Sequence, residues 1–186
     1  MSRSLYSRRT FVATAAAAAF VPVCRPAAAP AQRRFQIGAC DWSLGKNSDP
    51  AALDVAKQIG LDGVQVSLGT LANDMHLRRP EIQQRYRQAA KRLGVSILSL
   101  AIGELNNIPY KSDPRTIPWV RDSIEVCRAM QCRVILLAFF YNNDLRDDAA
   151  GTDETVRRLK EVAPLAEKVG VTLGIESWLS AEDHIR

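Results

Sequence analysis

Near the end of this 186-residue chain, the segment Val171-Thr172-Leu173-Gly174-Ile175-Glu176-Ser177 reads as a strand that carries an acid to its tip. With period two, Thr172, Gly174 and Glu176 share one face, while Val171, Leu173 and Ile175 share the other. An apolar face that packs on helices, opposite a face ending in a carboxylate, is the pattern of an inward-pointing acid at the C-terminal mouth of a parallel β/α barrel. Gly174 and Ile175 are strand-like neighbours, so the acid is expected to be partly buried. Burying an unpaired carboxylate is costly, so a metal ion, a cation or a proton is expected beside Glu176.

Other polar and aromatic side chains gather at the predicted strand tips: Asp41 and Trp42, Ser67, Glu104 with Asn106 and Asn107, the run Phe139 to Asn143, and Trp178. Carboxylates and amides suit the hydroxyls of a sugar, and flat aromatic surfaces suit its C–H faces. Trp42, Glu104, Phe140 and Trp178 are therefore candidate substrate contacts, and His76, after the second strand, is another. Each has a plainer reading, since aromatic rims close barrels without a ligand and loop histidines are commonly just exposed. Asp144, Asp147 and Asp148 lack the spacing of a calcium loop and read as a solvated turn.

The elements that must position these groups alternate. Strands are predicted at Phe35–Cys40, Gly63–Leu68, Ile97–Ile102, Arg133–Phe140 and Val171–Ser177. Helices are predicted at Pro50–Ile59, Pro80–Leu93, Ile117–Met130 and Asp153–Val169, and Ser180 with Asp183 opens a further one. Asp49-Pro50 and Pro80 mark helix entries, and Gly60, Gly94 and Gly170 sit where helices must end with positive φ. Val156, Leu159, Ala163, Ala166 and Val169 form an apolar stripe for the sheet.

No Gly/Ser-rich linker interrupts the series, so one α/β domain over residues 33–186 is expected. A doubly wound sheet of the flavodoxin kind would fit five units, but no glycine-rich phosphate loop follows the first strand. In the second strand Val64, Val66 and Leu68 alternate with Gln65 and Ser67, which suits a strand with a polar lumen on one side. The expected fold is a partial (β/α)8 TIM barrel of about five βα units.

The net charge is +5. Arg3, Arg8, Arg9 and Arg25 precede Pro30 in a stretch without acids, and removing those four leaves about +1 for the rest, no footprint for nucleic acid. Ser7-Arg8-Arg9-Thr10-Phe11-Val12, the apolar run Ala13 to Val23 and Ala27-Ala28-Ala29 read as a twin-arginine signal over residues 1–29. A periplasmic or otherwise exported protein is expected, with no membrane contact beyond that signal. Cys40, Cys127 and Cys132 remain after the signal and read as small buried apolar groups; Cys40–Cys132 is the pairing considered for a disulfide.

Ile37-Gly38-Ala39-Cys40-Asp41-Trp42-Ser43-Leu44, Gly60-Leu61-Asp62-Gly63-Val64-Gln65-Val66-Ser67 and Leu173-Gly174-Ile175-Glu176 resemble the sugar phosphate isomerase/epimerase family, the xylose isomerase-like TIM barrels. The resemblance runs from about Arg33 to the end of the chain. It implies a divalent ion (manganese, magnesium, cobalt or zinc) held at the mouth by acids and a histidine from strands five to eight. Glu176 matches the strand-five ligand, which in the ketose 3-epimerase branch also moves a proton through an enediolate. It implies a small carbohydrate or sugar phosphate as substrate.

Positions for the later ligands do not occur in this sequence. The chain is accordingly expected to be the N-terminal portion of a longer enzyme, inactive by itself, with open sheet edges that favour a homo-oligomer. Two other functions are weighed: a non-catalytic exported carbohydrate-binding barrel, and an abasic-site endonuclease. The latter needs a histidine-rich metal site, for which two histidines are too few.

Overall fold

The computed structural model describes residues 35–185. The signal assigned to residues 1–29 and the domain start at Arg33 lie outside them. Among the described residues, five strands form one parallel sheet in the order β1-β2-β3-β4-β5. They are β1 (Gly38–Cys40), β2 (Gly63–Ser67), β3 (Ser96–Ile102), β4 (Val134–Phe139) and β5 (Thr172–Ser177). A doubly wound sheet reverses direction at a switch point, whereas strictly sequential neighbours with a helix between each pair are the progression of a β/α barrel.

The intervening helices are α1 (Ala52–Gln58), α2 (Pro80–Leu93), α3 (Thr116–Ala129) and α4 (Ala149–Lys168), and α5 (Ala181–Ile185) follows β5. Each long helix lays an apolar side on one face of the sheet. Leu53 and Ala56 of α1, Tyr86 of α2, Val120 and Ile124 of α3, and Val162 and Ala166 of α4 join Val64, Val66, Leu100, Ile102, Ile135, Leu137 and Phe139 in one core. Burying each large aliphatic side chain stabilises the fold by roughly 1.5–3 kcal/mol. The opposite face is the lumen. Register puts Glu176 beside Ala138 and Gly174 beside Leu136, and β2 turns Gln65 and Ser67 to the same side.

All four helix-to-strand exits share one hydrogen-bond pattern. The amide of the residue after the left-handed position donates to a carbonyl five residues back: Leu61 to Ala56, Val95 to Ala90, Cys132 to Cys127 and Val171 to Ala166. These are Schellman closures. Three place glycine at positive φ, namely Gly60 (78°), Gly94 (64°) and Gly170 (69°), whereas the third exit uses Gln131 (61°).

Two helix details differ from expectation. Helix α4 begins at Ala149 rather than Asp153, because the Asp148 carboxylate accepts from the Gly151 amide at 2.9 Å and caps the earlier turn. Asp148 also pairs with Lys111 at 2.9 Å and Asp144 with Arg146 at 2.8 Å, so two of the three aspartates in that turn are structural partners. The buried side of α4 is Thr155, Arg158, Val162 and Ala166, while Val156 is 41% exposed. Arg158 takes the inward place because its guanidinium donates to the carbonyls of Tyr110 (2.7 Å) and Asp113 (3.1 Å), which lie in the loop between β3 and α3.

At the lumen end remote from the strand tips, Gly38 and Gly63 make room for Leu98. The register of β2 against β3 shifts after Val64, so that Gln65 pairs with Ser99 and Leu98 is passed over. A Cβ at Gly63 would stand 2.5 Å from both the Ser96 carbonyl oxygen and Leu98 Cγ. Gly63→Ala is expected to destabilise the protein by about 1–3 kcal/mol in urea unfolding. Gly174→Ala, where the nearest atom lies at 3.6 Å, should change it by under about 0.5 kcal/mol. Equal effects would refute this account of the lumen.

Candidate active site at the barrel mouth

The strand tips surround a cavity of about 430 Å³ whose walls include Trp42, Ser67, Glu104, Asn106, Phe140 and Glu176. Its architecture starts at Asp41, which is fully buried at the end of β1. One carboxylate oxygen accepts from the amides of Ser67 (2.8 Å) and Ser48 (3.1 Å), and the other from the Ser67 hydroxyl (2.8 Å). Burial lifts the Asp41 carboxyl above the ordinary aspartate range, and the Ser67 and Ser48 donors pull it back down. The carboxylate thus locks the tips of β1 and β2 and the loop at Ser48 into one unit. The neighbouring residue, Trp42, is left 41% exposed on the cavity wall.

At the third tip Glu104 is held at both oxygens, accepting from the Leu71 amide (3.2 Å) and the Asn107 side-chain amide (3.1 Å). Asn106 accepts from the Phe140 amide at 3.0 Å, and Asn142 donates to the Asn107 carbonyl at 3.0 Å, tying the third tip to the fourth. Tyr141, which also lines the cavity, adopts φ 52°. Strained positions of this kind persist where the surroundings over-determine them, and they cluster at functional sites.

Trp178 packs against the aromatic part of this wall and is itself 44% exposed. Its ring meets Phe140 edge-on at 5.1 Å and Tyr141 at 5.5 Å, and Arg146 lies over it at 4.6 Å. Its named contacts are therefore with the wall aromatics and a cation.

Glu176 is on the lumen face as its strand pattern requires, but it is exposed, not partly buried as expected. The reason is its strand: among the described residues β5 pairs with β4 alone, so one flank of the acid is open. No group of three or more His, Cys, Asp or Glu side chains among the described residues is placed to hold a metal ion. A divalent oxygen site needs several donors, so these residues do not by themselves make one.

His76 does not line this cavity. Its half-buried ring meets Tyr86 edge-on at 6.5 Å. Asn47 and Thr70 line the cavity without having been singled out in the sequence. They come from loops, where no periodicity points inward; the nearest sequence signal is their place just beyond strands already assigned to the mouth.

A sequential parallel sheet with its polar cavity at the C-terminal strand tips is the architecture of a β/α barrel. A family model described as xylose isomerase-like TIM barrel matches residues 53–185, and the chain belongs to that family. The resemblance carried by the three sequence strings is thereby borne out. A 2-epi-5-epi-valiolone 7-phosphate 2-epimerase of Actinoplanes sp. is 26% identical over 145 residues, covering 77% of this chain and 53% of that protein.

Two solved structures share the fold. A xylose isomerase-like TIM barrel protein from Mycobacterium smegmatis in complex with magnesium aligns with TM-score 0.59 and 13% identity, over 76% of this chain and 55% of that one. A D-psicose 3-epimerase with D-tagatose from Clostridium cellulolyticum H10 aligns with TM-score 0.53 and 15% identity, over 75% and 51%. The chain spans about half the length of the relatives it matches.

Two predictions follow from the geometry. Asp41→Ala leaves the Ser67 and Ser48 amides without their acceptor and should cost about 2–4 kcal/mol in urea unfolding; a loss below about 1 kcal/mol would show the tips are held otherwise. His76 is held below the usual histidine range, first by burial and then by Arg79 and Arg85, against the opposing pull of Asp41 and Asp49. The folded state therefore favours neutral His76, while the unfolded chain protonates near pH ~6.5, so stability should fall as pH drops below that value. His76→Gln should flatten this part of the stability–pH curve, read by thermal melts; an unchanged slope refutes it.

Proposed function

We propose that this barrel serves a sugar isomerase or epimerase, with Glu176 as the group that moves a carbon-bound proton. The observation that carries the proposal is the placement of a lumen-facing carboxylate in a cavity that also offers an immobilised carboxylate, three asparagines and aromatic walls. Family membership and the epimerase relative in Actinoplanes support the same reaction class.

The substrate is a small sugar or sugar phosphate. Its hydroxyls meet Glu104 and the asparagines, and a C–H face lies along Trp42 or Phe140. Glu176 accepts the proton from the carbon next to the carbonyl, leaving an enediolate, and return of a proton to that carbon or its neighbour completes epimerisation or isomerisation. Glu104 keeps both oxygens as acceptors and is fixed by its two donors before substrate arrives, which lowers the ordering cost of binding. Divalent ions serve such reactions by polarising the carbonyl, but the donors described here do not complete a site for one. Export rests on Ser7-Arg8-Arg9-Thr10-Phe11-Val12, and we include it in the proposal as the protein's route to the periplasm.

The test is exchange of the carbon-bound proton of ketoses and ketose phosphates with deuterated water, followed by proton NMR. Exchange is expected from the protein once a complete divalent-ion site is formed, and there Glu176→Gln should slow it by about 10²–10⁴-fold without abolishing sugar binding. Saturable sugar binding with no exchange when such a site is filled would overturn the enzyme reading and leave a carbohydrate-binding barrel.

A further inference from the structure

The four Schellman exits allow an internal comparison. In this motif the residue three places before the cap and the residue two places after it touch across the turn. At three exits that pair is alanine with an aliphatic residue: Ala56 with Leu61, Ala90 with Val95, and Ala166 with Val171. At the exit of α3 it is Cys127 with Cys132. Their sulfurs lie 3.0 Å apart, both residues are buried, and the Cys132 amide donates to the Cys127 carbonyl at 3.1 Å.

This is also the one exit of the four without glycine at the left-handed position. A non-glycine residue there costs roughly 1–2 kcal/mol. Among the described residues, the weakest turn residue of the four exits and a pair of adjoining cysteines therefore fall in the same turn. All three described cysteines are free thiols, and the pair brought together is not Cys40 with Cys132, the pairing weighed from sequence. Cys40 faces the lumen, with its sulfur 3.6 Å from Gln65 Oε1.

We propose that Cys127 and Cys132 are a reversible disulfide site that staples the end of α3 to the start of β4. The backbone already holds the two residues across a single closed turn, and the sulfurs need approach by only about 1 Å to bond. The partner oxidant is a low-molecular-weight disulfide such as oxidised glutathione. One protein thiolate attacks it, forming a mixed disulfide and releasing one glutathione thiolate. The second cysteine, as thiolate, attacks the protein sulfur of that mixed disulfide and expels the other. Two protein thiols are oxidised, one small disulfide is reduced to two thiols, and the protons pass to solvent.

Cys127 suits the attacking role. The hydrogen bond from the Cys132 thiol lowers the Cys127 pKa below the usual cysteine range, while the same bond and burial push that of Cys132 up. Because both sulfurs are buried, access comes through local opening of the helix end, and the rate should track the fraying of that turn.

The chain itself supplies the assay, since Arg128 lies between the two cysteines and Arg121 and Arg133 flank them. Tryptic peptides 122–128 and 129–133 stay joined only if the disulfide exists. The full chain is equilibrated in glutathione buffers of graded redox ratio, quenched with acid, alkylated, digested and read by mass spectrometry. The joined pair should appear in oxidising buffers and vanish on reduction, and thermal melting of the oxidised protein should rise above the reduced form.

Cys127→Ala with Cys132→Val rebuilds the Ala–Val pair of two sister exits, so it keeps the turn while removing the bond. In that variant the dependence of melting on redox ratio should disappear. Alkylation of both cysteines at every ratio, or linkage through Cys40 instead, overturns the proposal.

Discussion

The mouth of this barrel hangs on one buried carboxylate. Asp41 has no exposed surface, yet it is stabilised by donors from two other segments, the amide and hydroxyl of Ser67 and the amide of Ser48. A buried acid of this kind is tolerable only with its acceptor capacity filled, and filling it forces the segments together. The tips of β1 and β2 thereby become rigid, and Trp42 inherits its position on the wall. Glu104 repeats the logic in a more exposed setting, with one donor from the loop after β2 and one from its own turn. The asparagine bridges to Phe140 and Asn142 then carry the arrangement on to β4. The chemistry assigned to Glu176 depends on this chain of fixed tips, because a base acts only on a substrate that is held still.

Much of the fold was legible because its signals are local. Period-two alternation marked the second and fifth strands and their lumen faces, including Glu176, and three glycines marked helix exits by the only conformation they serve there. The failures came from side-chain interactions that no periodicity encodes. Asp148 starts α4 early through a side-chain cap that resembles any acidic turn residue. Arg158 displaces Val156 from the buried side because loop carbonyls from Tyr110 and Asp113 needed a donor. A hydrophobic-stripe reading ranks valine above arginine and cannot see that need. The exposure of Glu176 depends on which strands flank β5, information absent from its own seven-residue segment.

The site divides in the same way. Residue type and strand-tip position found Trp42, Glu104, Phe140 and Glu176, all on the cavity wall. Trp178 and His76 were proposed on the same grounds, yet the structure turns each toward other aromatic rings. Tyr141 illustrates the opposite case, an ordinary tyrosine in sequence whose backbone conformation singles it out. The cysteines were read by compartment and spacing alone. What brings Cys127 against Cys132 is the closure of a helix end around Gln131, a glutamine where the sister turns use glycine.

The sequential strand order governs how the chain can emerge from the ribosome. Partners Gly38 and Gly63, Gly63 and Ser96, Leu100 and Ile135, and Val134 and Thr172 lie 25, 33, 35 and 38 positions apart. Each new strand finds its neighbour already synthesised, with the connecting helix as the only segment to be closed in between. Loop-closure entropy is thus met in similar small instalments rather than as one long-range event. The growing nascent chain can add one unit at a time to a template made moments before, and its exposed edge at any instant is the docking place for the next strand to leave the tunnel.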